Sequence, residues 1–322
     1  MEKLNQHIKI AGFIALVLVI ILTGGFFYKK AGWLPLFFKQ APAAVVTAEN
    51  NRIVKMLFVG DIMLDRHVKE KMKNNDPAYL FQGLKNGKFD FNKYDLVNAN
   101  LEGAVTDGGS HYPPLYSYDF AFAPGAVAKL KDYNFKAFNL ANNHLTDQGE
   151  RGVAETRVNL ARLNFKYYGC SDGQVGDCSF KIYQAGGLRV GLVGLSLVYK
   201  KPDLEKIKNI ITDLSGRTDL VIVNMHWGVE YSHVFNKVQQ VLAHKLIEAG
   251  ADLIIGHHPH AVQGLEIYQN KLIFYSLGNF IFDQYFSRDT QEELAVEIVW
   301  VADGQSRAIL YPMISQQSQP SL

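Results

Sequence analysis

The sequence predicts an α/β protein carrying one membrane-spanning helix at its N-terminus. Three observations support this: an uncharged apolar run over residues 10–28, a later alternation of apolar strand-like runs with helical patterns, and His, Asn and carboxylate residues gathered directly after those runs. Hydrophobic residues make up 48% and charged residues 20% of the 322. A packed core is therefore within reach, and the composition is not that of a disordered chain. At this length one large domain with an appendage is expected. The net charge is +2, from 33 basic and 31 acidic residues, and no basic stripe interleaved with aromatics is present. That excludes nucleic-acid binding as the main role.

The first element is the run IAGFIALVLVIILTGGFFY over residues 10–28, long enough to cross a bilayer as a helix. It is apolar on every face and flanked by lysines, unlike a buried core helix. A cleaved signal peptide is the rival. Its apolar region is usually shorter, roughly 7–15 residues, with a small-residue site close behind. Here Ala41-Pro42-Ala43 stands well past Tyr28, so an uncleaved anchor is expected. Lys3 and Lys9 precede the run and Lys29, Lys30 and Lys39 follow it, so positive charge does not fix the orientation. Cys170 and Cys178 lie in the loop-like stretch GCSDGQVGDCS, with no CxxC pattern. A short disulfide-closed loop outside the cytoplasm is the favoured reading, two free thiols the alternative. The expected layout is a cytoplasmic segment 1–9, a single span 10–28 in the cell membrane, a juxtamembrane linker 29–54, an extracytoplasmic domain 55–314 and a frayed tail 315–322. Trp33, Phe37 and Phe38 in the linker suit the membrane interface.

Within the domain, apolar β-type runs recur at 56–59, 96–99, 137–140, 190–195, 220–225 and 253–255. Helical patterns lie between several of them, at 125–133, 150–163, 204–211 and 238–249. Buried strands alternating with helices predict a mostly central sheet covered by helices. Two hairpins are expected late in the chain: 262–268 through Gln269-Asn270 into 272–276, and 294–301 through Asp303-Gly304 into 308–311.

The chemically active residues fall where the apolar runs end. Asp61, Asp65 and Arg66 follow the first; Asn100 and Glu102 the second; Asn142, Asn143, His144 and Asp147 the third. His226, Glu230 and Tyr231 follow a later run, and His257, His258 and His260 another. Ligand sites form at the carboxyl ends of strands in open α/β sheets, so these segments converge if their strands share a sheet. Singly, each has an ordinary explanation: Asp61 or Asn143 as a helix cap, His226 as a satisfied polar group. Three histidines in four positions are costly to bury without partners. Together, imidazole and carboxylate donors suit Zn, Fe or Mn.

In order, the motifs GDIMLDR, NLEG, LANNHLTDQG, HWGVEY and GHHPHAVQGLEIYQNKLIFYSLGNFIFD resemble the CapA family of bacterial capsule-synthesis proteins. That family includes the PgsA-type component of poly-γ-glutamate synthesis and is placed in the calcineurin-like metallophosphoesterase superfamily. The resemblance spans residues 55–285. It implies a β-sandwich flanked by helices, with one or two divalent ions at the strand ends. By position it implies Asp61, Glu102, Asn143, His226, His258 and His260 as ligands and His144 as the group beside the substrate. Arg66, Glu230, Tyr231 and His257 are then candidates for substrate contact, and Asn279 and Asp283 for pocket lining. Arg151 is as readily a surface arginine as an anion clamp. Two departures fall on the first metal motif: Met63 stands where the superfamily has His, and Glu102 replaces a shorter Asp. The expected function is a membrane-anchored, metal-dependent phosphoesterase-like hydrolase in the synthesis of a capsule or cell-envelope polymer. Its partners would be an anionic polymer or phosphoester substrate and polymer-synthase subunits. A non-catalytic synthase or exporter subunit that binds anionic polymer is the alternative.

Overall fold

The computed structural model describes residues 35–37, 53–72, 76–85, 89–111, 118–301 and 306–322. The expected span 10–28, segment 1–9 and most of the linker lie outside the described residues. Within the linker, Pro35–Phe37 is a short strand, and the first long strand already starts at Ile53. Among the described residues no helix is long and apolar enough to cross a membrane.

From Ile53 the strands are β1 (Ile53–Ile62), β2 (Leu96–Leu101), β3 (Ala104–Val105), β4 (Ala121–Phe122), β5 (Phe135–Asn139) and β6 (Lys166–Tyr168). They continue as β7 (Phe180–Ala185), β8 (Leu188–Ser196), β9 (Leu220–His226), β10 (Leu253–His257), β11 (Leu265–Tyr268) and β12 (Lys271–Phe274). The last are β13 (Asn279–Ile281), β14 (Glu292–Val301), β15 (Ser306–Gln316) and β16 (Gln319–Ser321). The helices are α1 (Arg66–Lys71), α2 (Pro124–Ala128), α3 (Gly149–Arg162), α4 (Leu204–Arg217) and α5 (Lys237–Glu248). The pattern expected over 125–133 divides into α2 and a 3-10 helix, Lys129–Tyr133.

These strands build two main sheets, beside a two-stranded ribbon of β3 and β4. The apolar runs alone predict a mostly central sheet, and the family resemblance a β-sandwich flanked by helices. Sheet one runs β15-β14-β1-β2-β5-β6, with β13 beside β1 and β16 beside β15; sheet two runs β11-β12-β10-β9-β8-β7. Successive side chains of a strand point to opposite faces. Met56 and Phe58 enter the layer between the sheets with Leu192, Ile222 and Ile255, while Leu57 and Val59 pack outward with Leu130, Val153 and Leu160. On the far side, Val221, Val223 and Ile254 pack against Ile207, Ile211 and Leu246 from α4 and α5. Each such fully buried side chain stabilises the fold by about 1.5–3 kcal/mol. A strand lodged between a second sheet and a helix layer is apolar on both faces, as it would be between two helix layers. The strand sequences therefore do not distinguish the two architectures.

Both expected hairpins form. In the first, Tyr268 pairs with Lys271 across Gln269-Asn270, whose φ values of 47° and 60° give the left-handed turn that suits strand twist. In the second, Leu294 pairs with Pro312, and its turn lies outside the described residues. The expected frayed tail is instead a third hairpin. β15 turns through Gln317 and Ser318, both at positive φ, and Gln316 pairs with Gln319. Ser318 is buried, and its hydroxyl donates to the Phe282 carbonyl at 2.8 Å. The turn carries neither Gly nor Asn, so turn chemistry gave no signal of it. Cys170 and Cys178 are disulfide-bonded, closing the loop between β6 and β7.

Candidate metal centre

Parallel pairing places the carboxyl ends of β1, β2 and β5 together in sheet one, and those of β9 and β10 together in sheet two. Both groups face the same end of the sandwich. The His258 amide donates to Asp61 Oδ2 at 3.3 Å, joining the sheets there.

Asp61 and Glu102 are fully buried. Between them lies Asn100, whose amide donates to Asp61 Oδ1 at 2.8 Å and Glu102 Oε2 at 3.3 Å, and sits 3.3 Å from His226 Nδ1. On the other side of that ring, His226 Nε2 is 2.7 Å from Asn143 Oδ1. Donor atoms of Asp61, Glu102 and His226 lie within 4.8 Å of one another, and so do those of Glu230, His258 and His260. The His260 ring bridges the two groups, with Nδ1 3.5 Å from Asp61 Oδ2 and Nε2 3.7 Å from Glu102 Oε1. Asn279 Oδ1, at 3.0 Å from His260 Nδ1, orients that ring.

Burial penalises charge throughout the cluster. It raises the Glu102 carboxyl well above 4.5, and the charges of Asp61, Glu230 and Asp147 add to the effect. Asp61 behaves oppositely: burial alone would raise it, but the His257 contact, the His257 and His260 charges and the Asn100 hydrogen bond outweigh this and hold it low. Burial and the neighbouring imidazoles push His226 well below 6.5, while burial and His260 bring His258 to about 3. These imidazoles stand neutral, with lone pairs free for a Lewis acid. Glu102 Oε1 and His258 Nδ1 are buried without hydrogen-bond partners among the described residues. An acidic, imidazole-rich pocket with orphaned lone pairs fits a divalent cation, which would satisfy them and offset the paired carboxylates. Backbone strain gathers here too, since Arg66, Tyr231, His258 and His260 have φ of 50°, 63°, 95° and 55°. Such conformations cost on the order of 1–3 kcal/mol each and persist where the surroundings impose them.

The remaining expected residues fall into place unequally. His144 lies at the rim; its Nδ1 meets Asp147 Oδ2 at 2.8 Å, and its Nε2 is 3.8 Å from Glu102 Oε1. His257, expected at the substrate, is instead fully buried beneath Asp61, with Nδ1 3.2 Å from Asp61 Oδ1. Being the last residue of β10, it is enclosed between the sheets. Arg66 is ion-paired with Asp283, whose Oδ2 accepts from Nε at 3.2 Å, and its guanidinium lies 4.8 Å from the Phe120 ring. Arg151 is taken up by Glu155 and the Gly108 carbonyl. Glu230 is exposed, and Tyr231 packs edge-on against Phe286. Beside them a cleft of about 170 Å³ is lined by Arg66, His67, Tyr118, Asp283, Gln284 and Phe286. At the first motif, Met63 is buried and its Sδ accepts from the Asp65 amide at 3.0 Å.

Sequence reasoning assigned no role to Asn100 or Asp147. The signal for Asn100 was in VNAN, two amides inside an otherwise apolar strand. For Asp147 it was the three-residue spacing from His144, which the turn before α3 converts into contact.

The fold and this end of it define an α/β sandwich with a buried carboxylate–histidine–asparagine cluster drawn from both sheets. The model of the bacterial capsule synthesis protein family PGA_cap matches residues 55–284, and the chain belongs to that family. It is 32% identical over 305 residues to the capsule biosynthesis protein CapA of Bacillus anthracis, covering 87% of this chain and 72% of that one. To the PGA biosynthesis protein CapA of Bacillus subtilis (strain 168) it is 30% identical over 335 residues, covering 99% and 83%. A probable polyglutamine synthesis accessory protein of Mycobacterium tuberculosis is 25% identical over 213 residues, covering 59% and 56%. Among solved structures, a hypothetical protein from Thermus thermophilus superposes with a TM-score of 0.50 at 14% identity, covering 80% of this chain and 99% of that one. That likeness is one of fold.

Proposed function

We propose that this capsule-synthesis protein is a membrane-anchored, extracytoplasmic hydrolase that cleaves a phosphoester or related bond during assembly of a poly-γ-glutamate-like polymer. The observation that carries the reading is the set of orphaned, buried lone pairs on Glu102 and His258, within a cluster that two sheets jointly enclose. Asp61, Glu102, Asn143, His226, His258 and His260, with Glu230 at the open side, would hold one or two divalent ions such as Mn, Fe or Zn. When bound, such an ion lowers the pKa of a water and polarises a phosphoryl oxygen. His144 is the proton donor: Asp147 holds Nδ1, which leaves Nε2 facing the centre and positioned to protonate a leaving oxygen. Arg66, already committed to Asp283, shapes the cleft without adding an unpaired charge to it.

A second reading, a non-catalytic subunit that binds anionic polymer, is favoured by two details. Met63 stands at a ligand position of the superfamily, and the Asn100 amide fills space among Asp61, Glu102 and His226. The full chain, purified in detergent and incubated with Mn, Fe or Zn, separates the readings through metal content and turnover of a phosphodiester. Replacing His258→Ala should lower metal content. Replacing His144→Ala should leave it intact while hydrolysis falls about 10²–10⁴-fold. A chain that takes up no metal ends the hydrolase reading. Metal uptake with no turnover supports the binding subunit, and turnover indifferent to His144→Ala removes His144 as the proton donor.

A further inference from the structure

A second groove lies at the open edge of the sandwich and shares no residue with the metal-type cluster. Its volume is about 470 Å³, within the roughly 300–1,000 Å³ of small-ligand pockets. It is bounded by β6, the outer strand of sheet one, and β7, the outer strand of sheet two. Three cations from three elements line it: Arg157 from α3, Lys166 from β6 and Lys181 from β7. None of them has an ion pair or side-chain hydrogen bond among the described residues. The one carboxylate in the lining is Asp177, which is exposed. Lysines on outer strands also discourage edge-to-edge pairing. That does not account for Arg157, which comes from a helix and turns the same groove basic. The wall is fixed in advance: the Cys170–Cys178 disulfide closes the adjoining loop, and the Gly169 amide donates to the Cys178 carbonyl at 2.7 Å. The cluster at the strand ends is acidic, so an anionic chain approaching it gains no unpaired side-chain cation there. The groove offers three.

We infer that this groove binds a segment of polycarboxylate chain, holding the polymer at a distance from the strand-end centre. The inference rests on the reading of the chain as a protein of acidic-polymer assembly. Each cation would meet one carboxylate in a solvent-screened ion pair, individually weak and additive along a repeating chain.

The test uses the full chain in detergent and a fluorescently labelled poly-γ-glutamate oligomer, with binding read by anisotropy at low and moderate salt. The variant Arg157→Gln/Lys166→Gln/Lys181→Gln should bind on the order of tenfold more weakly, with a shallower salt dependence. A control with three exposed lysines changed elsewhere, Lys201→Gln/Lys206→Gln/Lys245→Gln, should bind like the wild type, as should Lys181→Arg, which keeps the charge. Equal binding by the groove variant and the wild type overturns the assignment, and so does equal weakening of groove and control variants. A wild type that ignores the oligomer but binds polyphosphate through these residues overturns the choice of carboxylate. Metal content and phosphodiester turnover, measured on the same groove variant, should stay at wild-type levels. Failure of the groove is thereby distinguished from failure of the hydrolase reading.

Discussion

Replacing Glu102→Gln should move stability in opposite directions with and without metal. In the metal-free chain Glu102 is fully buried beside Asp61, and its carboxyl is raised well above 4.5. A raised folded pKa means that its stabilising contribution is complete below pH 4.5 and is lost as pH climbs toward the folded value. Each pH unit in that window costs about 1.36 kcal/mol, so the loss at pH 7.5 cannot exceed about 4 kcal/mol. Glutamine removes this cost. Its carbonyl can keep the Asn100 hydrogen bond, while its NH₂ replaces the unpartnered Oε1, 3.7 Å from His260 Nε2 and 3.8 Å from His144 Nε2. That imperfect fit brings the expected gain down to about 1–3 kcal/mol, or roughly 2–10 °C in melting temperature. With metal present the sign reverses, because a ligand oxygen is lost, and each tenfold loss of affinity withdraws about 1.4 kcal/mol of ligand-linked stability. Thermal unfolding followed by circular dichroism in chelator and in excess Mn reads both arms. A variant less stable than wild type in chelator, or equally stabilised in both buffers, would refute the reasoning.

Three further outcomes are expected. Gly256 lies in β10 with its Cα against the next strand, and a Cβ there would meet the Tyr275 carbonyl oxygen at 1.9 Å. Replacing Gly256→Ala should therefore cost about 3–5 kcal/mol, seen as a lowered denaturation midpoint or loss of folded protein. Glu293 is buried, and burial raises its carboxyl well above 4.5, with Ser315 only partly opposing. By the same sign, Glu293→Gln should be more stable than wild type at pH 8, with the difference vanishing near pH 4 in chemical denaturation. Replacing Cys170 and Cys178 by serine opens a loop of eight-residue separation and should cost about 2–3 kcal/mol, measured against oxidised wild type.

The positions of the strands were legible because apolar runs of this kind are short and bounded by polar motifs. Their partition into two sheets was not legible in the runs themselves, since β1 and β10 look alike whether a sheet or a helix layer lies beyond them; only the motif resemblance implied a sandwich. The donor set was legible as a list of residues following strands. Its internal roles were less so: His257 and His258 are adjacent, and only the positive φ of His258 separates a ring enclosed under Asp61 from one facing His226. The neutralisation of Arg66 depends on Asp283, which is 217 residues away along the chain and invisible to local pattern. The final hairpin escaped because its turn relies on Ser318 and the Phe282 carbonyl, again a partner remote in sequence.

The place of β1 in sheet one also constrains how the chain is made. One side of β1 pairs with β2, a near neighbour, but the other pairs with β14, where Ile53 faces Val301. Between those two residues 247 others must be synthesised, which at about 5–20 residues per second takes roughly 12–50 s. Through that interval this long, largely buried strand has an open flank, and no complete core can close around it. Nascent chains stalled before β14 should therefore be protease-sensitive and bound by holding chaperones, whereas chains released after β15 should become resistant together, in one step.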